Sequence, residues 1–165
     1  MLLLLPSPDD TLLLGAALGR GLAGAATPVA LLLQGPLGSG KTTLVRGLVS
    51  ALPGAEDAEV SSPSFNLVNI YPTRPQVAHF DLYRLDSAHT LEEFEELLGS
   101  AGTLLVAEWI DRVDEKLWPD EALRVEWVAV PSGRALEISA WGKAASGLLT
   151  SLAPALNQWQ KGFAV

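Results

Sequence analysis

Cysteine is missing from this chain of 165 residues. Its absence excludes disulfides, thiolate metal sites and a cysteine nucleophile, and it agrees with a cytoplasmic location. Basic residues are scarce as well: 11 Lys and Arg stand against 19 Asp and Glu, a formal charge of −8. Nucleic-acid backbones are held mostly by Lys and Arg, so a broad direct footprint is disfavoured, and any RNA is expected to be held by a partner. Long apolar runs are also lacking, since none approaches the roughly 20 residues of a membrane span. Met1 to Leu5 has no basic segment before it and is stopped by Pro6, Pro8, Asp9 and Asp10, so it reads as an edge strand and not a signal peptide. Repeats, linkers and low-complexity segments are absent. What remains is one domain, and a 48% hydrophobic content is enough for a substantial core.

Within that domain, Gly35-Pro36-Leu37-Gly38-Ser39-Gly40-Lys41-Thr42 is a complete G-x-x-x-x-G-K-T phosphate loop. It lies between an apolar run, Pro28 to Leu33, and a helix-like one continuing from Thr43 to Val49. Glycines let consecutive N–H groups turn inward around a phosphate, where they meet the positive end of the following helix dipole. Lys41 is expected to reach the β- and γ-phosphates, and the Thr42 hydroxyl to ligate Mg²⁺. The implied ligand is a nucleoside triphosphate, with ATP and Mg²⁺ as cofactors.

Hydrophobic periodicity supplies the rest of the outline. Ser7 caps a helix starting at Pro8 and running to about Ala25, with Gly19, Gly21 and Gly24 fraying its end. Two hairpins are expected, Phe65–Tyr71 with Gln76–Tyr83, and Leu123–Ala129 with Arg134–Trp141, the latter turning at Pro131-Ser132-Gly133. Leu91, Phe94 and Leu98 mark the apolar side of a helix whose Glu92, Glu93, Glu95 and Glu96 form a solvated face. Thr103 to Ala107 is a buried strand ending in Glu108, and Lys143 to about Leu156 is a helix interrupted by Gly147 and Pro154. Together these predict a three-layer α/β fold of the P-loop NTPase kind, its sheet mixed and mainly parallel with antiparallel hairpins added. The whole chain, 1–165, reads as a single P-loop ATPase domain.

Hydrolysis needs more than the loop, because the metal requires further oxygens and the attacking water must be placed in line. Glu108, at the end of an apolar strand, is expected to hold Mg²⁺. Asp81, in the apolar run Val77 to Tyr83, is expected to orient the water, although the sequence leaves the reverse assignment open, as well as a purely structural Asp81 that caps a turn or pairs with Arg84. Strand alternation puts His79, Asp81 and Tyr83 on one face. His79 reads as a core histidine and His89 as a surface one. Ser64 stands where nucleotide switches hold a hydroxyl over the γ-phosphate, or is an ordinary entry from loop to strand, and Trp109 after Glu108 packs either near the nucleotide or in the core.

The segments GPLGSGKTTLVRGL, SPSFNLVNIY, HFDLYRL, LEEFEELL and LLVAEW, in this order, resemble the bacterial TsaE (YjeE) family, the small ATPases of tRNA threonylcarbamoyladenosine synthesis. The resemblance runs from about Pro8 to Trp141. It implies an ATPase that joins TsaB and TsaD, the latter transferring the threonylcarbamoyl group to the adenosine beside the anticodon, with tRNA met only through that complex. It implies Asp81 as the catalytic acid with Lys41, and Mg²⁺ on Thr42 and Glu108. Nucleotide contacts are implied for Thr11, the loop residues Gly35 and Leu37 to Thr43, Ser64, Trp109, Arg112 and Arg134. Ser64 replaces the family's usual threonine and keeps the hydroxyl, and Ile110 stands where proline or a small residue is common. A small-molecule kinase and a non-catalytic nucleotide sensor are the other classes compatible with the loop. A kinase needs a lid with several arginines, whereas seven are spread over this chain.

Overall fold

In the computed structural model, residues 1–84, 88–98, 100–130 and 133–160 are described. The expected turn at Pro131 and Ser132 lies outside them, as do the side chains of His89 and Leu91. The strands are β1 (Leu2–Leu5), β2 (Ala30–Gln34), β3 (Val68–Tyr71), β4 (Gln76–Asp81), β5 (Thr103–Glu108), β6 (Ala122–Val128) and β7 (Arg134–Trp141). The helices are α1 (Pro8–Ala23), α2 (Lys41–Ser50), α3 (Ala88–Leu98) and α4 (Lys143–Leu156).

All seven strands join one sheet in the order β1-β7-β6-β2-β5-β4-β3. β2 pairs in parallel with β5 and β6, and β5 with β4, while β1, β7 and β3 are antiparallel wings. Each hairpin therefore contributes one strand to the parallel centre and one to a wing, a sharing that local alternation could not reveal.

The central strands are apolar on both faces because both are covered. Leu31 and Leu33 of β2 pack with Leu14 and Leu18 of α1, Leu44 and Leu48 of α2 and Leu152 of α4. Leu32, between them, faces the opposite layer with Phe80 and Phe94, whose rings meet edge to face at 5.3 Å. Glu92, Glu95 and Glu96 on the far side of α3 are exposed, as the acidic run predicts.

α1 begins as expected, with a capping box in which the Ser7 hydroxyl accepts from the Asp10 amide and the Asp10 carboxylate accepts from the Ser7 amide. The helix does not fray at its glycines. Gly15 and Gly19 let α1 press against the backbone of α2, and Gly47 does the same from the other side, where a β-carbon would collide with the Leu12 carbonyl. This close contact holds α2, and with it the phosphate loop, against the first helix.

Three boundaries differ from expectation. β3 starts at Val68 and not Phe65, because the Asn66 and Leu67 amides close a turn on the Pro63 carbonyl and Leu67 takes a left-handed φ of 65°. β4 stops at Asp81, whose carboxylate accepts the Tyr83 amide and turns Leu82–Arg84 into a single 3-10 turn. α4 runs unbroken through Gly147 and Pro154; the proline lies exposed in the last turn, and the carbonyl left without its amide belongs to exposed Thr150, where water can replace it.

Candidate functional site

The phosphate loop leaves β2 and enters α2 with Gly38 at φ 75° and Gly40 at φ 107°, a left-handed backbone that side chains disfavour. Gly40 caps α2 without a side chain, so the helix amides remain directed into the loop. Lys41 is 5% exposed, and its ammonium donates to the Gly35 carbonyl at 2.7 Å and the Pro36 carbonyl at 2.9 Å. The Trp109 ring lies 4.1 Å from the same nitrogen. Burial pushes the Lys41 pKa below the ordinary 10.5, against the pull of Glu108, Asp81 and Asp111.

Two buried carboxylates close the site. Asp81 and Glu108 are direct partners in the β4–β5 register, at the carboxyl ends of the two strands that follow β2 on one side of the sheet. Glu108 Oε1 accepts from the Thr42 hydroxyl at 3.0 Å and lies 2.9 Å from His79 Nε2. Asp81 accepts from Ser64 through Oδ2 at 2.9 Å and from the Tyr83 amide through Oδ1 at 3.0 Å. It thus caps a turn, as one reading of the sequence allowed, and the same carboxylate meets the switch-like serine; no ion pair with Arg84 occurs among the described residues.

Ser64, Asp81 and Glu108, with Leu37 to Thr43, Ser62 and Trp109, line a cavity of about 280 Å³. Hollows of about 420 to 570 Å³ open elsewhere and one of about 370 Å³ opens on the other side of the loop beside Trp127 and Arg134, but none contains Lys41 or a buried carboxylate, so chemistry and not size marks the site. Thr42 and Glu108 form a sparse pair of oxygen donors, which suits Mg²⁺, an ion that takes most of its ligands from phosphates and water.

Other expected residues divide into two groups. Trp109 sits in a left-handed conformation, φ 61°, that turns its ring over Lys41 and against Tyr83 at 4.8 Å. Arg112 stacks on Tyr83 at 5.1 Å and does not line the cavity. Thr11 and Arg134 come to the opposite side of the loop, where a β-carbon built on Gly40 would lie 3.8 Å from Arg134 Nε and 3.9 Å from Thr11.

The sequence reading missed Trp127, Ser62 and Tyr71. Trp127 Nε1 would lie 4.0 Å from that same β-carbon. Its indole nitrogen, the Thr11 hydroxyl and the Ser39 hydroxyl are all buried without a partner. Trp127 looked like an ordinary inward residue of a hairpin strand; only the parallel pairing of β6 with β2 carries it past Gln34 to Gly35.

The model of the threonylcarbamoyl adenosine biosynthesis protein TsaE matches residues 5–136. The chain belongs to the TsaE family. Curated relatives named tRNA threonylcarbamoyladenosine biosynthesis protein TsaE include that of Mycobacterium tuberculosis, 35% identical over 123 residues, covering 68% of this chain and 70% of the relative. The Aquifex aeolicus TsaE is 36% identical over 110 residues, covering 66% and 76%. The Nostoc TsaE is 37% identical over 117 residues, covering 68% and 69%. The crystal structure of Bacillus subtilis YdiB superposes with a TM-score of 0.71 over 94% of this chain and 95% of that one; at 23% identity it speaks for the fold. TsaE membership places the chain among the nucleotide-binding proteins of tRNA threonylcarbamoyladenosine biosynthesis. Among the described residues no helix is long and apolar enough to cross a membrane.

Proposed function

We propose that this chain is a cytoplasmic, single-domain ATPase subunit that acts with TsaB and TsaD and resets their complex between rounds of threonylcarbamoyl transfer to the adenosine at tRNA position 37. The observation that carries the reading is the convergence of two buried, register-paired carboxylates on one phosphate loop. In this reading Lys41 leaves the Gly35 and Pro36 carbonyls for the β- and γ-phosphates, and the loop amides hold the remaining phosphate oxygens. Thr42 and Glu108 would hold Mg²⁺, which supplies neutralisation of charge on the phosphates.

Asp81 orients the attacking water, and Ser64 decides when it can. The serine hydroxyl has one proton, now given to Asp81; a γ-phosphate oxygen offers a competing, more highly charged acceptor. When Ser64 turns to the phosphate, Asp81 Oδ2 is released for water. Thr11, Thr43, Trp109, Arg112 and Arg134 are proposed as further nucleotide contacts. tRNA, which the acidic chain is poorly suited to hold, stays with the partners.

No arginine lines the cavity among the described residues. A missing arginine finger can be worth about 10³ to 10⁵ in rate, so the chain alone should turn over slowly. The test is phosphate release by the isolated chain and with TsaB and TsaD added. Stimulation is expected, and a high intrinsic rate unchanged by the partners would overturn the reading. Free phosphate as the product separates this ATPase from a kinase, which would instead label an acceptor.

A further inference from the structure

Behind Glu108 runs a line of buried polar groups that never touches the cavity. His79, fully buried in β4, places Nε2 2.9 Å from Glu108 Oε1 and Nδ1 3.3 Å from the Tyr71 hydroxyl. Tyr71, 3% exposed at the end of β3, donates that hydroxyl to the Ser61 carbonyl across 3.0 Å. Ser61 begins the segment that carries Ser62 and Ser64, both of which line the cavity. A chain of hydrogen-bonding groups therefore joins the carboxylate beside Thr42 to the backbone of the segment that carries the Asp81 partner. Apolar rings would fill the same space without the desolvation cost of a phenol and an imidazole, so packing alone gives no reason for them.

We infer that Tyr71 and His79 are positioning residues that couple the Ser61–Ser64 segment to Glu108, an inference that rests on the phosphate chemistry proposed for Glu108. The coupling follows from proton count. Tyr71 has one hydroxyl hydrogen and two neighbours able to accept it, the Ser61 carbonyl and His79 Nδ1. While the segment is in place, the hydrogen is held by Ser61. The imidazole hydrogen stays on Nε2, facing Glu108, in both states; when the segment withdraws, the hydroxyl rotates to donate to Nδ1, and this bond polarises the ring and strengthens the Nε2–H bond to Glu108. Rotation of one O–H bond, with no net proton gained or lost, passes a backbone movement to the carboxylate.

The test compares Tyr71→Phe, His79→Gln and the double variant in the full chain. Phe65 is 88% exposed at the end of the tied segment, so chymotryptic cleavage after it, followed by mass spectrometry without nucleotide, reads the tie itself. Tyr71→Phe should raise that cleavage several-fold, and His79→Gln, which leaves the bond to Ser61 intact, should not. With TsaB and TsaD and saturating ATP, each single variant should lower kcat about tenfold, the order expected when a site group is slightly misplaced, with KM changed by no more than about twofold. The double variant should be no slower than the singles, because both cut one line.

Multiplying effects in the double variant, or wild-type kcat in either single one, would overturn the coupling while leaving the ATPase reading intact. If the wild-type complex releases no phosphate, the ATPase reading falls, and cleavage at Phe65 then decides the tie: an unchanged rate in Tyr71→Phe overturns it. Should Tyr71→Phe fail to fold, His79→Gln decides alone, since its amide keeps a donor toward Glu108 and loses only Tyr71. A purely structural histidine would then lower the melting temperature and spare kcat, and that result too would overturn the inference.

Discussion

On the β4 and β5 flank of the phosphate loop, Ser64, Asp81, Thr42, Glu108, His79 and Tyr71 are bonded to one another or to backbone. On the α1 and β6 flank, the hydroxyls of Thr11 and Ser39 and the indole nitrogen of Trp127 are buried without partners. A buried donor or acceptor left unpaired costs about 1–3 kcal/mol, so the second flank stores a cost that the first does not. The difference teaches where preorganisation was placed. Groups expected to act on phosphate are held before any ligand arrives, and groups on the other side are completed only by one.

The comparison breaks most visibly at Lys41, which serves the loop itself. Lys41→Ala should weaken Mg²⁺·ATP binding at least about 100-fold, since two charge-assisted bonds of about 1.5–3 kcal/mol are lost, and calorimetry would register this. Wild-type affinity in that variant would mean that the loop does not cradle phosphate. On turnover and not on affinity, Asp81→Ala should lower single-turnover hydrolysis by about 10² to 10⁴ while leaving ATP affinity within about threefold. An equal loss of affinity would place Asp81 in ground-state binding and erase its contrast with the other flank.

Thr11→Val sharpens the opposite side, because valine keeps the shape and removes an unpaired hydroxyl. ATP affinity should fall about twofold to tenfold while thermal stability stays the same or rises, the signature of a group without a partner until ligand binds. A drop in melting temperature with unchanged affinity would assign Thr11 to the core. The smallest effect concerns pH. Burial holds the Lys41 pKa below 10.5 in the free protein, and phosphates favour its charged form. Affinity should therefore be level at lower pH and decline as pH rises through the lowered Lys41 value, with proton uptake on binding detectable by calorimetry in buffers of different ionisation enthalpy.

Legibility differed between the flanks for a physical reason. Lys41, Thr42, Asp81 and Glu108 could be found in the chain because each is a polar residue at the end of a continuous apolar strand or within a glycine-rich loop, where local cost makes it conspicuous. Trp127 and Tyr71 could not, because an aromatic residue in an alternating strand looks the same whether its polar tip is idle or bonded. The start of β3 and the unbroken course of α4 were missed similarly. The Asn66 turn depends on the Pro63 carbonyl, and Pro154 is tolerated because its surroundings are open to solvent.

Residue spacing alone determined that this chain builds a phosphate loop between a buried strand and a helix and that two acids follow at strand ends. These are local matters, decided by backbone freedom, hydrophobic period and the cost of burying charge. Tertiary structure alone decided that β6 lies beside β2, that Asp81 and Glu108 stand opposite each other, and that Tyr71 reaches Ser61 on one side and His79 on the other. Pairing between strands distant in sequence is fixed by how helices cover both faces of the sheet, a balance spread over the whole core and written in no single segment.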